Sequence, residues 1–191
     1  GDKIIYICAK MLKKCGRLAG NKVTATVMSN LGFHKAVESL GAEVDITQVG
    51  DRYVLERMLE TGCVIGGEQS GHIIFLEYST TGDGILSALQ LLKALRSSGR
   101  KLSELADEVK IYPQVLKNAQ LKIENKKKYA SDPQIAAEIK RIENIMADEG
   151  RVLIRPSGTE TLVRVMIDGK DLEEINGLAE GLADLITKKM G

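Results

Sequence analysis

The chain has little of what builds a disulfide framework or a zinc site. It contains only three cysteines, Cys8, Cys15 and Cys63, an odd number with no CxxC spacing, which argues against both. Only three of its residues are proline. Because 43% of its residues are hydrophobic and 28% are charged, the composition is that of an ordinary folded protein and excludes a disordered one. We therefore expect a cytoplasmic location, where thiols stay reduced.

The chain also lacks a dominant charge and a long apolar run. Its 27 basic and 26 acidic side chains give a net charge of +1, so no global field attracts nucleic acid or an anionic membrane. No apolar stretch approaches the ~20 residues of a membrane-spanning helix, and no signal peptide or internal repeat is visible. The chain opens with Gly1-Asp2 and no methionine, so we expect a piece of a longer protein.

Residues 1–110 have the pattern of an α/β domain. Alternation predicts a first strand over Lys22–Met28, and Ser29 or Asn30 can cap the helix that follows. A second strand comes next, and the order strand, helix, strand predicts a parallel pair with a crossover helix. Two short apolar strands and a long helix capped by Asp83 complete this part. The sequence therefore predicts a three-layer α/β domain with a mixed, mostly parallel sheet.

Residues 111–191 have the pattern of a second, smaller domain. Tyr112–Gln114 marks the hinge, because its proline lies where helical periodicity changes to strand alternation. Asp132 and Pro133 begin one helix and Asp171 begins the last one. The order strand, helix, strand, strand, helix predicts a compact α+β domain like the TATA-binding protein, with helices on one face of a small sheet.

The most informative stretch is Arg151–Ile167, which reads RVLIRPSGTETLVRVMI. Two β-branched, apolar runs flank a tight loop, which predicts a hairpin. The loop combines a planar charged fork, two hydroxyls and a glycine that can adopt a positive φ, a set suited to several oxygens of one small anion. The alternative is a hairpin whose turn is merely polar, since short motifs have many false positives. The candidate phosphate ligands are Arg155, Ser157, Gly158, Thr159 and, as a second charge, Arg164.

A second candidate loop, Gly66–His72, follows the predicted strand Cys63–Ile65. Its three glycines, carboxylate, hydroxyl and imidazole exceed what a turn needs, which indicates a sugar site that a ligand can approach closely. Glu68 can accept hydrogen bonds from two vicinal sugar hydroxyls, and Ser70 can donate or accept. His72 is a candidate catalytic residue, although a lone histidine is more often structural.

A third candidate loop, Gly50-Asp51-Arg52, follows the second strand. Loops beyond the carboxyl ends of strands are where open α/β sheets bind ligands. The structural alternative is that Asp51 caps the next helix and that Arg52 is a solvated first-turn residue. Position alone favours the structural alternative.

These three loops resemble those of the α-D-phosphohexomutase family. Arg-Pro-Ser-Gly-Thr-Glu resembles its C-terminal phosphate-binding loop, Gly-Glu-Gln-Ser-Gly-His its sugar-binding loop, and Val-Gly-Asp-Arg-Tyr-Val a loop that faces the sugar. The spelling with glycine is similar to the branch that acts on glucosamine phosphates. Thr161 stands where the family usually has proline, a departure that removes no ligand. The resemblance covers the whole chain, as the third and fourth of four domains.

The resemblance implies an isomerase that transfers a phosphoryl group within its substrate. Such an enzyme interconverts glucosamine 6-phosphate and glucosamine 1-phosphate through a phosphoserine and a sugar bisphosphate, with Mg²⁺ on the transferring group, and feeds synthesis of UDP-N-acetylglucosamine. The resemblance further implies that Glu68, Ser70 and Asp51 bind the sugar, while the Arg155 loop holds the phosphate that is not reacting. Either His72 or Arg52 would then assist deprotonation of the attacking hydroxyl.

Two of that family's motifs are missing from this chain. It has neither a Ser-His pair for the catalytic serine loop nor an Asp-Gly-Asp-x-Asp-Arg run for the metal loop. We therefore expect no mutase activity and no tight magnesium site in this chain alone. Its expected partners are a hexosamine phosphate and the N-terminal domains of the same protein, with a homodimer still open. The alternatives are a phosphoglucomutase or phosphomannomutase fragment and a non-catalytic sugar-phosphate-binding module.

Overall fold

The computed structural model describes residues 1–125, 128–157 and 160–191 and divides into two compact units. Unit 1 spans residues 1–111 and unit 2 spans residues 112–191. Two of the predicted phosphate ligands, Gly158 and Thr159, lie outside the described residues. In the described part of the chain, no helix is both long enough and apolar enough to cross a membrane.

Unit 1 alternates helices with short strands. Its helices are α1 (Asp2–Lys14), α2 (Leu31–Ser39), α3 (Asp51–Thr61), α4 (Gly84–Ser98) and α5 (Leu102–Ala106), and its strands are β1 (Lys22–Thr26), β2 (Glu43–Thr47), β3 (Ile65–Gly67) and β4 (Ile73–Phe75). The strand order is β2-β1-β3-β4, with β1 parallel to both of its neighbours and β4 antiparallel to β3. The prediction of a mixed, mostly parallel sheet is confirmed.

Helices cover both faces of this sheet because strand residues alternate between two cores. On one face, Val23 and Ile65 join a large core that includes residues of α1, α2, α4 and α5. On the other face, α3 places Val54 and Met58 against Ile74. The result is the three-layer α/β arrangement predicted from the sequence.

Unit 2 follows the predicted order strand, helix, strand, strand, helix. Its elements are β5 (Gln114–Gln120), α6 (Pro133–Met146), β6 (Arg151–Pro156), β7 (Leu162–Asp168) and α7 (Leu172–Met190). Strand β7 lies in the middle of the sheet and is antiparallel to both β5 and β6. The side chains of Asp132 and Asp171 accept backbone hydrogen bonds at the starts of α6 and α7.

The two long helices of unit 2 pack on one face of its sheet. Val163, Val165 and Ile167 of β7 share a core with residues of α6 and α7. Because neighbouring strand residues point to opposite faces, Arg164 and Asp168 lie on the other face, with their cross-strand partners on β6. This second face carries the charged residues of the hairpin.

Candidate functional site

Three segments of unit 1 leave its sheet at the same edge. Strands β1, β2 and β3 are parallel, so the segments after Thr26, Thr47 and Gly67 all start at the carboxyl edge. Helix α2, which follows β1, and helix α3, which follows β2, pack on opposite faces of the sheet, and such a switch point is where open α/β sheets bind ligands. The structure therefore brings the segments that hold Asp51 and Glu68 to the edge where a ligand site is expected.

Glu68 is anchored across this edge. Its Oε1 accepts a hydrogen bond from the backbone N–H of Gly50 at 3.1 Å, and its Oε2 lies 3.8 Å from Nδ1 of His72. The Glu68 side chain is 14% exposed, so the carboxylate is held in place but still reaches solvent. Its remaining lone pairs are suited to accept hydrogen bonds from sugar hydroxyls.

The turn that carries Glu68 is shorter than predicted. The predicted strand Cys63–Ile65 is wrong in its position, because β3 pairs with its neighbours through Gly66 and Gly67. A Cβ atom on Gly67 would lie 2.4 Å from the carbonyl oxygen of His72, so strand packing requires this glycine. The loop's glycine content is therefore explained largely by the sheet and is weaker support for a ligand than the sequence suggests.

Ser70 and His72 lie on the exposed side of the turn that begins at Glu68. The backbone N–H of Glu68 donates to the carbonyl of His72 at 2.9 Å and closes the turn. Gly71 reverses the chain with a φ of 106°, a conformation that other residues rarely adopt. The His72 side chain is 64% exposed. A carboxylate, a hydroxyl and an imidazole are thus presented on one closed turn.

Asp51 and Arg52 make the contacts expected of helix residues. The N-cap of α3 is Gly50 and not Asp51, so the expected cap is wrong by one residue; Asp51 is the first helical residue, and its Oδ1 accepts from the backbone N–H of Arg52 at 2.8 Å. The Nε of Arg52 donates to Oε1 of Glu56 at 2.7 Å, and the arginine side chain is 81% exposed. The hydrogen bond with Glu56, reinforced by its charge, raises the pKa of Arg52. A guanidinium that stays protonated cannot accept a proton, so His72 has the more suitable chemistry for a base.

A hydrogen bond that the sequence does not reveal stabilises the carboxyl edge of the sheet. The carboxylate of Asp2, at the start of α1, is only 6% exposed, and its Oδ2 accepts from the backbone N–H of Asn30 at 2.8 Å. The Asn30 side chain in turn accepts from the Gly32 N–H at 3.0 Å and caps α2, as predicted. These bonds fasten α1 and α2 to the segment after β1. The two residues are 28 positions apart, so only the fold reveals their contact.

In unit 2, the hairpin places two arginines opposite each other. The register pairs Arg155 of β6 with Arg164 of β7, and like charges in directly opposed strand positions are destabilising. The Nε of Arg155 is buried and has no hydrogen-bond partner in the part of the chain that the structure describes. An unsatisfied buried donor costs about 1–3 kcal/mol. A bound anion would supply the missing partner and offset the repulsion.

Ser157 and Glu160 hold the described parts of the hairpin loop together. Ser157 is 4% exposed, and its backbone N–H donates to the Leu162 carbonyl at 2.9 Å. Its Oγ lies 3.3 Å from Oε2 of Glu160 and accepts from the Glu160 N–H at 3.2 Å. Arg164 Nη2 donates to the same carboxylate oxygen at 3.1 Å. Glu160, which is not among the predicted site residues, therefore holds Ser157 and Arg164 beside each other.

The described residues do not fit a magnesium centre. Across residues 1–125, 128–157 and 160–191, no group of three histidine, cysteine, aspartate or glutamate side chains is placed to hold a metal ion. Mg²⁺ needs oxygen ligands in near-octahedral geometry.

Two family models match the chain. The first, described as phosphoglucomutase/phosphomannomutase, alpha/beta/alpha domain III, matches residues 1–112. The second, described as phosphoglucomutase/phosphomannomutase, C-terminal domain, matches residues 119–185. Between them they account for the layered sheet of unit 1 and for most of unit 2.

Curated relatives match over the whole chain. The phosphoglucosamine mutase of Caldicellulosiruptor bescii is 58% identical and that of Acetivibrio thermocellus is 56% identical, each aligned with 100% of this chain. The chain spans 42% of the length of both relatives.

Solved structures show the same fold at low sequence identity. An N-acetylphosphoglucosamine mutase of Aspergillus fumigatus has a TM-score of 0.80 at 21% identity, over 98% of this chain and 43% of that chain. A complex of the A. fumigatus enzyme with GlcNAc-6P and magnesium has a TM-score of 0.73 at 21% identity, over 96% of this chain and 46% of that chain. At such identities the likeness shows the fold alone.

Proposed function

Because this chain belongs to the phosphoglucomutase/phosphomannomutase family, we propose that it is the C-terminal part of a phosphoglucosamine mutase. Such an enzyme interconverts glucosamine 6-phosphate and glucosamine 1-phosphate through a phosphoserine and a sugar bisphosphate. The 58% identity to a phosphoglucosamine mutase supports this choice of substrate over glucose or mannose phosphates. Since the chain spans 42% of that relative, the serine loop belongs to the remainder, and this chain alone is inactive.

The observation that carries the proposal is the pair of opposed arginines at the loop end of the hairpin. Arg155 and Arg164 face each other in register, and the buried Nε of Arg155 lacks a partner in the described chain. A phosphate dianion offers several acceptor oxygens that match the guanidinium fork. Hydrogen bonds to charged groups are worth about 1.5–3 kcal/mol each. Ser157, with Gly158 and Thr159 as predicted ligands, completes the proposed phosphate site.

The turn of unit 1 suits the uncharged part of the same class of ligand. The fixed carboxylate of Glu68 can accept from vicinal hydroxyls, and Ser70 can donate or accept. Asp51 lies at the same edge and is the third proposed sugar ligand. The nearby imidazole of His72 is the proposed proton acceptor, with Arg52 assigned a role in charge positioning only.

The task of this chain is to position the substrate. Phosphoryl transfer is catalysed mainly by alignment and by charge stabilisation, and an intermediate that must turn over needs a fixed site for the phosphate that is not reacting. The hairpin is that proposed site. Magnesium, which is present with GlcNAc-6P in a complex of the A. fumigatus enzyme, would neutralise charge on the transferring group. The residues of this chain bind and orient the substrate.

The proposal extends to location and partners. The three free cysteines suit a reducing compartment, so we place the parent protein in the cytoplasm. Its essential partner is the N-terminal remainder of the same polypeptide, and a homodimer is a further proposed assembly.

A chimera tests the proposal. The segment of the C. bescii enzyme that precedes the matched region would be fused to this chain and assayed with a sugar bisphosphate primer. We expect turnover of glucosamine 6-phosphate, slower turnover of glucose and mannose phosphates, and none from this chain by itself. An inactive, folded chimera beside an active C. bescii enzyme would contradict the proposal, and turnover by this chain alone would contradict its fragment part.

A further inference from the structure

Unit 1 contains a cavity of about 310 Å³ that the proposed function does not use. Its apolar walls come from α1, α4 and α5, through Ile7, Met11, Ala94 and Leu105. Clefts and cavities of ~300 Å³ and above, with apolar walls and a few polar groups, are typical of sites for small organic molecules. The cavity therefore has the size and lining of a ligand site.

The cavity lies at the far end of α1 and α4 from the proposed sugar turn. Asp2, at the start of α1, bonds to the segment after β1, whereas Lys14, at its end, lines the cavity. With a rise of 1.5 Å per residue, these two positions are roughly 18 Å apart along the helix. Similarly, Gly82, just before α4, packs against His72, while Ser98 at the end of α4 lines the cavity. The two sites are thus separate.

The mouth of the cavity carries an excess of positive charge. Lys10, Lys14 and Arg100 all line it, and Glu108 accepts hydrogen bonds from Lys10 and Arg100, and from Tyr6 at 2.7 Å. Burial by itself would raise the pKa of Glu108, but these hydrogen bonds outweigh burial and lower it to about 2. The carboxylate of Glu108 therefore pairs with two of the three cations, Lys10 and Arg100.

Of the three cations at the mouth, Lys14 is the one without a carboxylate partner in the described chain. In the described chain its ammonium takes part in no ion pair, and Arg100 has a further carboxylate neighbour in Glu104, at 3.4 Å. We propose that the cavity binds a small organic anion whose apolar body packs between α1, α4 and α5 and whose charge meets Lys14. A neutral hydrophobic molecule would leave the charge of Lys14 unpaired, and a bare inorganic anion would leave the apolar walls without a packing partner.

Cys15 provides a built-in reporter of occupancy. It lines the cavity and is exposed, whereas Cys8 and Cys63 are buried. Burial raises the pKa of the Cys8 thiol to about 12, so this thiol stays protonated and unreactive at neutral pH. A neutral alkylating reagent should therefore modify Cys15 first, and a molecule in the cavity should slow that reaction.

The test measures alkylation of the intact chain by iodoacetamide, followed by mass spectrometry and peptide mapping. Naphthalene-2-sulfonate is the probe, with neutral 2-naphthol and inorganic phosphate as matched controls. We expect saturable loss of Cys15 alkylation with the sulfonate only. Absence of protection, or equal protection by 2-naphthol, would overturn the proposal. Glucosamine 6-phosphate should not protect Cys15, which keeps this test independent of the proposed sugar-phosphate site.

Two tryptophan variants locate the effect. Ser97→Trp fills the mouth, and Ser39→Trp on α2 is its matched control, because both serines are exposed and both hydroxyls donate to a carbonyl four residues earlier. We expect the first variant to abolish protection and the second to retain it. Lys14→Gln should weaken the probe's affinity about fivefold, the upper range for an exposed charge pair, while exposed Lys93→Gln should not. Full protection in Ser97→Trp would contradict the proposed site.

Discussion

The two ends of the β6–β7 hairpin place the same residue type in opposite situations. Away from the loop, Arg151 is in register with Asp168, and its Nη2 donates to Oδ2 of that aspartate at 2.6 Å. Gln114 donates to the other carboxylate oxygen at 2.7 Å. Near the loop, Arg155 is in register with Arg164, and its buried Nε has no partner in the described residues. One arginine meets its anion within the fold, and the other does not.

This difference separates an arginine that stabilises the hairpin from one that is available to a ligand. Asp168 is fully buried, and a buried carboxylate is tolerated only when it is paired and hydrogen-bonded. Arg155 and Arg164 repel each other across the strands, and only Arg164 has a carboxylate partner, Glu160, whereas the buried Nε of Arg155 has no partner in the described residues. Asp168→Asn and Arg155→Ala test this distinction directly, and Glu108→Gln and Glu68→Gln extend it to a paired carboxylate and a ligand-facing carboxylate of unit 1.

Asp168→Asn should damage the fold of unit 2 and leave its phosphate site intact. Removing one charge of a buried pair costs about 3–5 kcal/mol, so we expect the free energy of unfolding of unit 2 to fall by that amount. Urea unfolding followed by NMR signals of unit 2 measures it, with exposed Asp184→Asn on α7 as the control. Unchanged stability, or a lost phosphate affinity in the folded variant, would break the distinction.

Arg155→Ala should weaken phosphate binding and leave the stability of unit 2 intact. Loss of one or more charged hydrogen bonds, about 1.5–3 kcal/mol, corresponds to a roughly 10- to 150-fold lower affinity for glucosamine 6-phosphate. Stability should stay the same or rise, because the repulsion with Arg164 disappears. Calorimetric titration and thermal unfolding measure the two quantities, with exposed Arg141→Ala on α6 as the control. A large loss of stability with unchanged affinity would make Arg155 structural.

Glu108→Gln tests how much a fully hydrogen-bonded carboxylate stabilises unit 1. Hydrogen bonds outweigh burial and lower the pKa of Glu108 to about 2, so its stabilisation is present above the ordinary carboxyl pKa of ~4.3 and is lost as the pH falls through the folded value. We expect the variant to be about 1–2 kcal/mol less stable at pH 7 and the difference to shrink as the pH approaches 2. Urea unfolding at pH 7 and pH 3, with Glu104→Gln as the control, checks this. A difference independent of pH would contradict it.

Glu68→Gln should give the smallest effect. Glutamine can still accept from the Gly50 N–H but loses the charge that strengthens bonds from sugar hydroxyls, about 1 kcal/mol or fivefold in affinity. Glucosamine 6-phosphate should therefore bind more weakly, and inorganic phosphate should bind as before. Exposed Glu60→Gln on α3 is the control. Equal losses for both ligands would mean that Glu68 does not recognise the sugar.

Local features of the fold could be predicted because they depend on near neighbours. Asn30, Asp83, Asp132 and Asp171 accept from backbone N–H groups within three residues, and capping chemistry is visible in the sequence. The position of β3 was not predictable in this way. Gly66 and Gly67 have low strand propensity, and their place in β3 depends on pairing with Thr24 and Ala25, about 40 residues away.

The candidate site was predictable by residue type but not by arrangement. The motif around Arg155 indicated an anion loop, yet only the register of β6 and β7 shows that Arg155 opposes Arg164 while Arg151 opposes Asp168. Register is set by which apolar residues face the core, a property of the whole sheet. The bond from Asn30 to Asp2 is equally non-local.

An NMR titration of the isotope-labelled chain with glucosamine 6-phosphate directly tests whether the loop end of the β6–β7 hairpin binds phosphate. We expect saturable shifts at the amide of Ser157 and at the Nε signals of Arg155 and Arg164, with the Nε signal of Arg151 unchanged. These shifts should persist in Asp184→Asn and disappear in Arg155→Ala. Shifts confined to Arg151, or a hairpin whose signals do not move at saturating ligand, would contradict the claim that its loop end binds phosphate.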